Sequence, residues 1–160
     1  MKNNQFLNSV KFTKQSDDGT FKRVTENFLF FAHNFSDSET RVYEELGNQI
    51  KGEFTVTAIK RVEYIDIFDS ASGNFEAWYE VVAQYDSASE DGEKTKKVKN
   101  KFLIASDSVK NATKEIKEEL DKWLVDFKII KVGETNIQDV FPFPPTTAEF
   151  INEELETVNN

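Results

Sequence analysis

KKVKNKFLI, residues 96–104, alternates lysine with other residues and then turns fully apolar. A period of two places Val98, Phe102 and Ile104 on one side of a strand and Lys97, Lys99 and Lys101 on the other. A second stretch, KRVTENFLF at residues 22–30, has the same outline. Val24, Phe28 and Leu29 match Val98, Phe102 and Leu103. The likeness extends outward from both. Phe6, Val10 and Phe12 match Tyr79, Ala83 and Tyr85, and Asp17-Asp18-Gly19 matches Glu90-Asp91-Gly92. Glu44-Glu45-Leu46 matches Glu118-Glu119-Leu120, and Asp66-Ile67-Phe68 matches Asp139-Val140-Phe141. Self-similarity over this span marks an internal duplication, and two copies are too few for a solenoid.

Within the first copy, alternation predicts strands near Gln5–Lys14 and Phe21–Ala32, joined by a turn at Asp17-Asp18-Gly19. Ser36, with Glu39 three residues on, has the spacing of a capping box and predicts the start of a helix. Phe35, Val42, Leu46 and Ile50 form its apolar face, and Gly52 is its stop signal. A third strand is expected near Glu53–Arg61, while Val62–Phe68 is apolar without a clear period. The second copy repeats the plan. Tyr79 to Tyr85 alternate, residues 87–93 make a turn, and Ser106 or Ser108 caps a helix. Val109, Ala112, Ile116, Leu120, Trp123 and Leu124 mark its buried face. Phe127, Ile129, Ile130 and Val132 form the last strand.

The expected fold is therefore α+β, a tandem duplication of a β-β-α-β unit. Antiparallel sheet is covered on one face by one helix per unit. It forms one six-stranded sheet or two abutting three-stranded ones. The expected organisation is a first unit at 5–69, a linker at 70–76, a second unit at 77–143 and an acidic, mobile tail at 144–160.

Composition narrows the function. A chain of 160 residues is long enough to bury a core without staples. It has no cysteine, which excludes disulfides, thiolate nucleophiles and Cys-based metal sites. No apolar leader opens the sequence and no run is long enough to span a bilayer. The expectation is a cytoplasmic protein, in the host cytoplasm if phage-encoded, without a membrane partner. The net charge of −9 argues against broad adhesion to nucleic acid but leaves room for a local basic face. Four glutamates and no lysine or arginine fall within residues 144–160.

No catalytic motif stands out. His33 is the only histidine, sits in a polar joint and has Asp107 as its counterpart in the second copy, so it is read as a loop or capping residue. The paired carboxylates fall in turns or on solvated helix faces. No calcium loop, phosphate-binding loop or nucleophile elbow is present. The recurrence of Asp66 and Asp139 suits a structural role, such as bonding a backbone end. The chain is expected to be no enzyme and to need no cofactor or metal.

The basic strand is the strongest functional signal. Lys97, Lys99 and Lys101 project from one face, with Trp78, Val82 and Gln84 on the same side of the neighbouring strand. Arg23 is the counterpart of Lys97, and Lys11 adds a further cation. Lysines beside an aromatic on a sheet face are one way of holding single-stranded nucleic acid, phosphates meeting cations and bases stacking on the ring. A solvated strand whose lysines deter edge pairing accounts for the same pattern more plainly. An acidic whole with a basic groove and an acidic tail is similar in outline to single-strand-binding proteins of phages and bacteria. The tip Thr157-Val158-Asn159-Asn160 departs from their apolar end, and no five-stranded barrel pattern is visible. The rival expectation is a protein–protein adaptor, binding through Phe141–Pro145 or the acidic tail.

GEFTVTAIKR at 52–61, WYEV at 78–81 and IQDVFPF at 137–143 together resemble domain-of-unknown-function family 4494 of gut bacteria and their crAss-like tailed phages. The resemblance covers Phe6 to Phe143. Gln5 stands where that family's opening tryptophan is expected. The resemblance implies a small phage or bacterial protein and carries over no catalytic residue.

Overall fold

Two long hairpins carry the fold of the computed structural model, which describes residues 4–70, 73, 75–92, 94–144 and 155. The first joins β1 (Gln5–Gln15) to β2 (Phe21–Phe31), and the second joins β5 (Ala77–Ala88) to β6 (Thr95–Ser106). Both turn on a glycine that must take positive φ, Gly19 at 85° and Gly92 at 71°. Each donates its N–H to the carbonyl of a serine three residues back, Ser16 and Ser89, at 2.9 Å. The second turn is one residue longer, closing from Ser89 to Lys94 where the first closes from Ser16 to Thr20.

After each hairpin comes one helix, α1 (Phe35–Leu46) and α2 (Val109–Leu120), and then an edge strand, β3 (Phe54–Val62) and β7 (Lys128–Glu134). The edge strands pair antiparallel with β1 and β5. Each carries a bulge at the equivalent place, between Ser9 and Val10 in one sheet and between Val82 and Ala83 in the other. The matching bulges confirm the duplication at the level of single hydrogen bonds.

The last strand of each unit crosses over. β4 (Asp66–Phe68) leaves the first unit and pairs parallel with β6, while β8 (Ile137–Phe141) leaves the second and pairs parallel with β2. The result is two mixed four-stranded sheets, β3-β1-β2-β8 and β4-β6-β5-β7. This corrects the expectation of one six-stranded or two three-stranded antiparallel sheets. The physical reason is that β2 and β6 each have a free edge beside the apolar run Phe28–Phe30 or Phe102–Ile104. A short partner covers that edge, and the partner comes from the other unit. Asp66 Oδ1 accepts the N–H of Ile67 and Asp139 Oδ1 that of Val140, both at 2.8 Å, so each aspartate bonds the backbone of its own crossing strand.

Each sheet is covered by its helix on one face. Val10, Phe28, Phe30, Val42 and Leu46 make one helix–sheet core, and Val81, Phe102, Ile104, Ile116 and Leu120 make the other. The opposite faces meet in a third core built from both sheets, with Leu29, Trp78, Leu103 and Ile137 at its centre. Full burial of a leucine or phenylalanine contributes about 1.5–3 kcal/mol, so these three layers of apolar contact supply the main driving force.

Three local expectations shift. α1 is capped by Asn34 rather than Ser36: Asn34 Oδ1 accepts the Asp37 N–H at 2.8 Å, and Asp37 Oδ2 in turn accepts the His33 N–H at 2.9 Å. Of the two serines offered for α2, Ser108 is the cap. α2 stops at Leu120, before Trp123 and Leu124. Trp123 still packs edge-on to Phe102, whereas Leu124 is fully exposed. The expectations for the linker at 70–76 and the tail at 144–160 fall largely outside the described residues.

Candidate nucleic-acid interface

β6 delivers Lys97, Lys99 and Lys101 to one face, all three exposed. The face belongs to the end of the sheet beyond the inter-sheet core, where the strands run on past Leu103 into solvent. Directly opposite residues of antiparallel strands share a face. In β5 the partners of these lysines are Asp86, Gln84 and Val82. On the other side of β5, Gln84 pairs with Lys128 and Val82 with Lys131. Five lysines thus flank one strand, on rows about 10 Å apart, two strand spacings.

Lys128 and Lys131 were not legible in the sequence. Two residues separate them, and strict alternation would put them on opposite faces. The β7 bulge takes Ile130 out of register, since Val82 pairs with Lys131 and Ala83 already with Ile129. Both lysines therefore face the same way. Lys97 and Lys128 line one hollow of about 280 Å³ across Gln84. A second cleft, of about 460 Å³, lies between the two sheets and brings Lys60 of β3 to face Lys99 and Lys101 of β6.

Acidic groups temper this face: Asp86 and Asp126 share the Lys97–Lys128 hollow, and Glu63 and Glu80 share the cleft with Lys60, Lys99 and Lys101. Asp86 stands opposite Lys97 in the register. Glu80 approaches Lys101 at 4.0 Å and accepts the Tyr64 hydroxyl at 2.8 Å. Lys101 is more than half exposed, and a surface pair of that length contributes well under about 1 kcal/mol. Burial, and then the hydrogen bond to Glu80, hold the Tyr64 phenol above its ordinary pKa.

Trp78 is placed elsewhere. It is on the same face as the lysines but near the opposite end of β5, opposite Ala105, and only 5 % exposed. Its ring packs in the inter-sheet core, edge-on to Phe75 with centroids 5.3 Å apart. It is not offered to a base, which corrects the expected pairing of this tryptophan with the lysine strand. Arg23 and Lys11 are exposed on the corresponding face of the first sheet. Arg23 reaches the Thr13 hydroxyl at 3.4 Å. Phe21, 70 % exposed, lies two residues before Arg23.

The other candidates are structural in placement. His33 accepts a hydrogen bond at its carbonyl from Asn4, and its ring lies 5.1 Å from that of Phe143. Phe141 is a β8 residue stacked on Phe30, so in the segment Phe141–Pro145 the exposed ring is that of Phe143. Pro145 lies outside the described residues.

A family model described as a domain of unknown function, DUF4494, matches residues 4–143. The chain belongs to this family. The match begins just before β1 and ends two residues after β8, so the DUF4494 unit includes both copies of the repeat and both exchanged strands. No curated protein and no solved structure matches the chain. Among the described residues of this DUF4494 member, no helix is long and apolar enough to cross a membrane, and no three acidic or histidine side chains are grouped to hold a metal ion.

Proposed function

We propose that the protein is a non-enzymatic binding module that holds a single strand of nucleic acid by its phosphates, in phage or bacterial DNA metabolism. The observation that supports this reading is the set of five lysines on either side of β5, Lys97, Lys99 and Lys101 with Lys128 and Lys131. The five lysines themselves lie outside all three cores. The cleft that Lys60 shares with Lys99 and Lys101 adds Arg61 to the cations there. With Trp78 in the core, phosphate contact rather than stacking supplies most of the affinity, and binding is therefore strongly salt-dependent. Fluorescence anisotropy of a labelled oligothymidylate across a salt series tests it. Binding at low salt, lost on changing Lys97, Lys99 and Lys101 to Gln, supports the reading; no binding at low salt rejects it.

The second reading is a protein–protein adaptor, which the exposed apolar residues Leu124, Val125 and Ile130 around the α2–β7 turn favour. Replacing Leu124 by Ser leaves nucleic-acid binding intact under the first reading and abolishes partner capture under the second.

A further inference from the structure

The two units part company just after their helices. Both helices end alike: the Gln49 N–H donates to Leu46 O at 3.0 Å, and the Trp123 N–H to Leu120 O at 3.1 Å. Leu46 and Leu120 are equivalent residues, so Gln49 and Trp123 start from equivalent backbone. In the second unit the indole turns inward and lies edge-on to Phe102 and to Phe127, with centroids 5.5 Å apart in both pairs. In the first unit Gln49 is exposed. Phe54 stands three residues before the bulge, as Phe127 does, but stacks on Tyr43 at 5.0 Å.

A hollow of about 410 Å³ remains in the first unit beside Phe28, the counterpart of Phe102. Its floor is Phe12, Phe28, Leu46 and Ile50, which all belong to the first helix–sheet core. Gln49 and Lys51 stand at its rim. Lys14, also at the rim, is held by Glu26 at 3.0 Å, whereas Lys51 makes no ion pair with a described residue.

An apolar floor with a few polar groups around it is the usual make-up of a small-ligand site, and the volume falls in the usual range, about 300–1,000 Å³. The chain's own second unit indicates the shape that fits. There a planar bicyclic side chain covers the equivalent phenylalanine edge-on, an arrangement that stabilises aromatic pairs beyond their buried area. The unmatched Lys51 adds a preference for negative charge. We infer that the hollow binds a planar bicyclic ring that carries an acid group, the ring against Phe28 as Trp123 lies against Phe102 and the acid beside Lys51. A free aromatic acid and a nucleotide share this chemistry. The floor belongs to the helix-covered face of the first sheet, and nothing in the lysine reading depends on it.

The test is a titration of the full chain with indole-3-propionate and, separately, with adenosine 5′-monophosphate, read in backbone amide spectra. The first probe stands for a free aromatic acid and the second for a nucleotide. The expected result is a saturable shift of Gln49, Ile50 and Lys51 with at least one of them, and the tighter binder names the source. Neutral indole-3-propionamide binds about threefold more weakly than the acid, and Lys51→Gln removes that difference. Gln49→Trp gives the first unit the side chain that the second unit has. It fills the hollow, abolishes the shifts of Ile50 and Lys51 and leaves the denaturation midpoint no lower. Shifts with neither probe, shifts confined to residues 123–127, an amide that binds as tightly as the acid, or a Gln49→Trp variant that still binds or is less stable overturns the proposal.

Discussion

The Phe141 ring lies flat on that of Phe30, with centroids 4.4 Å apart and planes 11° apart, although Phe141 closes the second unit and Phe30 belongs to the first. Phe141 also meets Phe28 at 6.4 Å, and the equivalent contact on the other side joins Phe68 to Phe102 at 6.3 Å. The two units are thus held by each other's last strand. Neither β2 nor β6 has its free edge covered without the partner unit.

Phe141→Ala and Phe68→Ala should each destabilise the protein by about 2 kcal/mol, less than for a fully buried phenylalanine because both rings are partly exposed. Chemical denaturation should remain a single cooperative transition in the wild type, followed equally by fluorescence and circular dichroism. Two separated transitions would mean that the units fold independently and that the exchange is not what joins them.

Arg41 fastens the end of β8. It is nearly buried, and its guanidinium donates to the carbonyls of Phe31, Phe141 and Pro142 while resting 5.6 Å from the Phe30 ring centroid. Arg41→Met should leave these carbonyls short of a donor at a cost of about 1–3 kcal/mol. Amide exchange in Val140 and Phe141 should accelerate first. Glu45→Gln, which removes only an exposed partner at 3.9 Å, should change stability by less than about 0.5 kcal/mol.

Tyr64 gives the alkaline side of the stability profile. Its folded pKa is raised by burial and by Glu80. Above about pH 10, where the unfolded phenol ionises, the unfolded state releases a proton that the folded state keeps. The stability that Tyr64 contributes is therefore whole below that pH and declines above it. Ultraviolet titration of phenolate absorbance should show a late component that shrinks in Tyr64→Phe, the rest belonging to Tyr79, which burial also raises. An undiminished late component would assign the whole effect to another tyrosine.

Much of this architecture is legible in the sequence because it is local. Alternation through Val98, Phe102 and Ile104 marks a strand with one buried face, and Val42 and Leu46 mark a helix that covers it. The repeat makes each half a check on the other. The exchange of β4 and β8 is not legible. Three residues such as Asp66-Ile67-Phe68 encode that they pair, but not with which of two equivalent edges. The burial of Trp78 is hidden for a related reason. Its parity puts it on the lysine face, but only the packing of sheet on sheet buries one end of that face and leaves the other open. Lys128 and Lys131 stayed hidden because the bulge at Ile130 breaks the period that sequence reading relies on.

Those two lysines give the sharpest check on the lysine face short of mapping it. Lys128→Gln with Lys131→Gln should weaken oligonucleotide binding as the β6 triple variant does. Each lost phosphate contact should lower the slope of log affinity against log salt by about 0.7. An unchanged slope would take β7 out of the interface.

The most direct measurement is the backbone amide spectrum of the full chain titrated with a short oligothymidylate. The account predicts that shifts concentrate at residues 97–101 and 128–131 and around Lys60, and fade on addition of salt. Shifts confined to α1, α2 or the Leu124 turn, or no shifts at low salt, would contradict it.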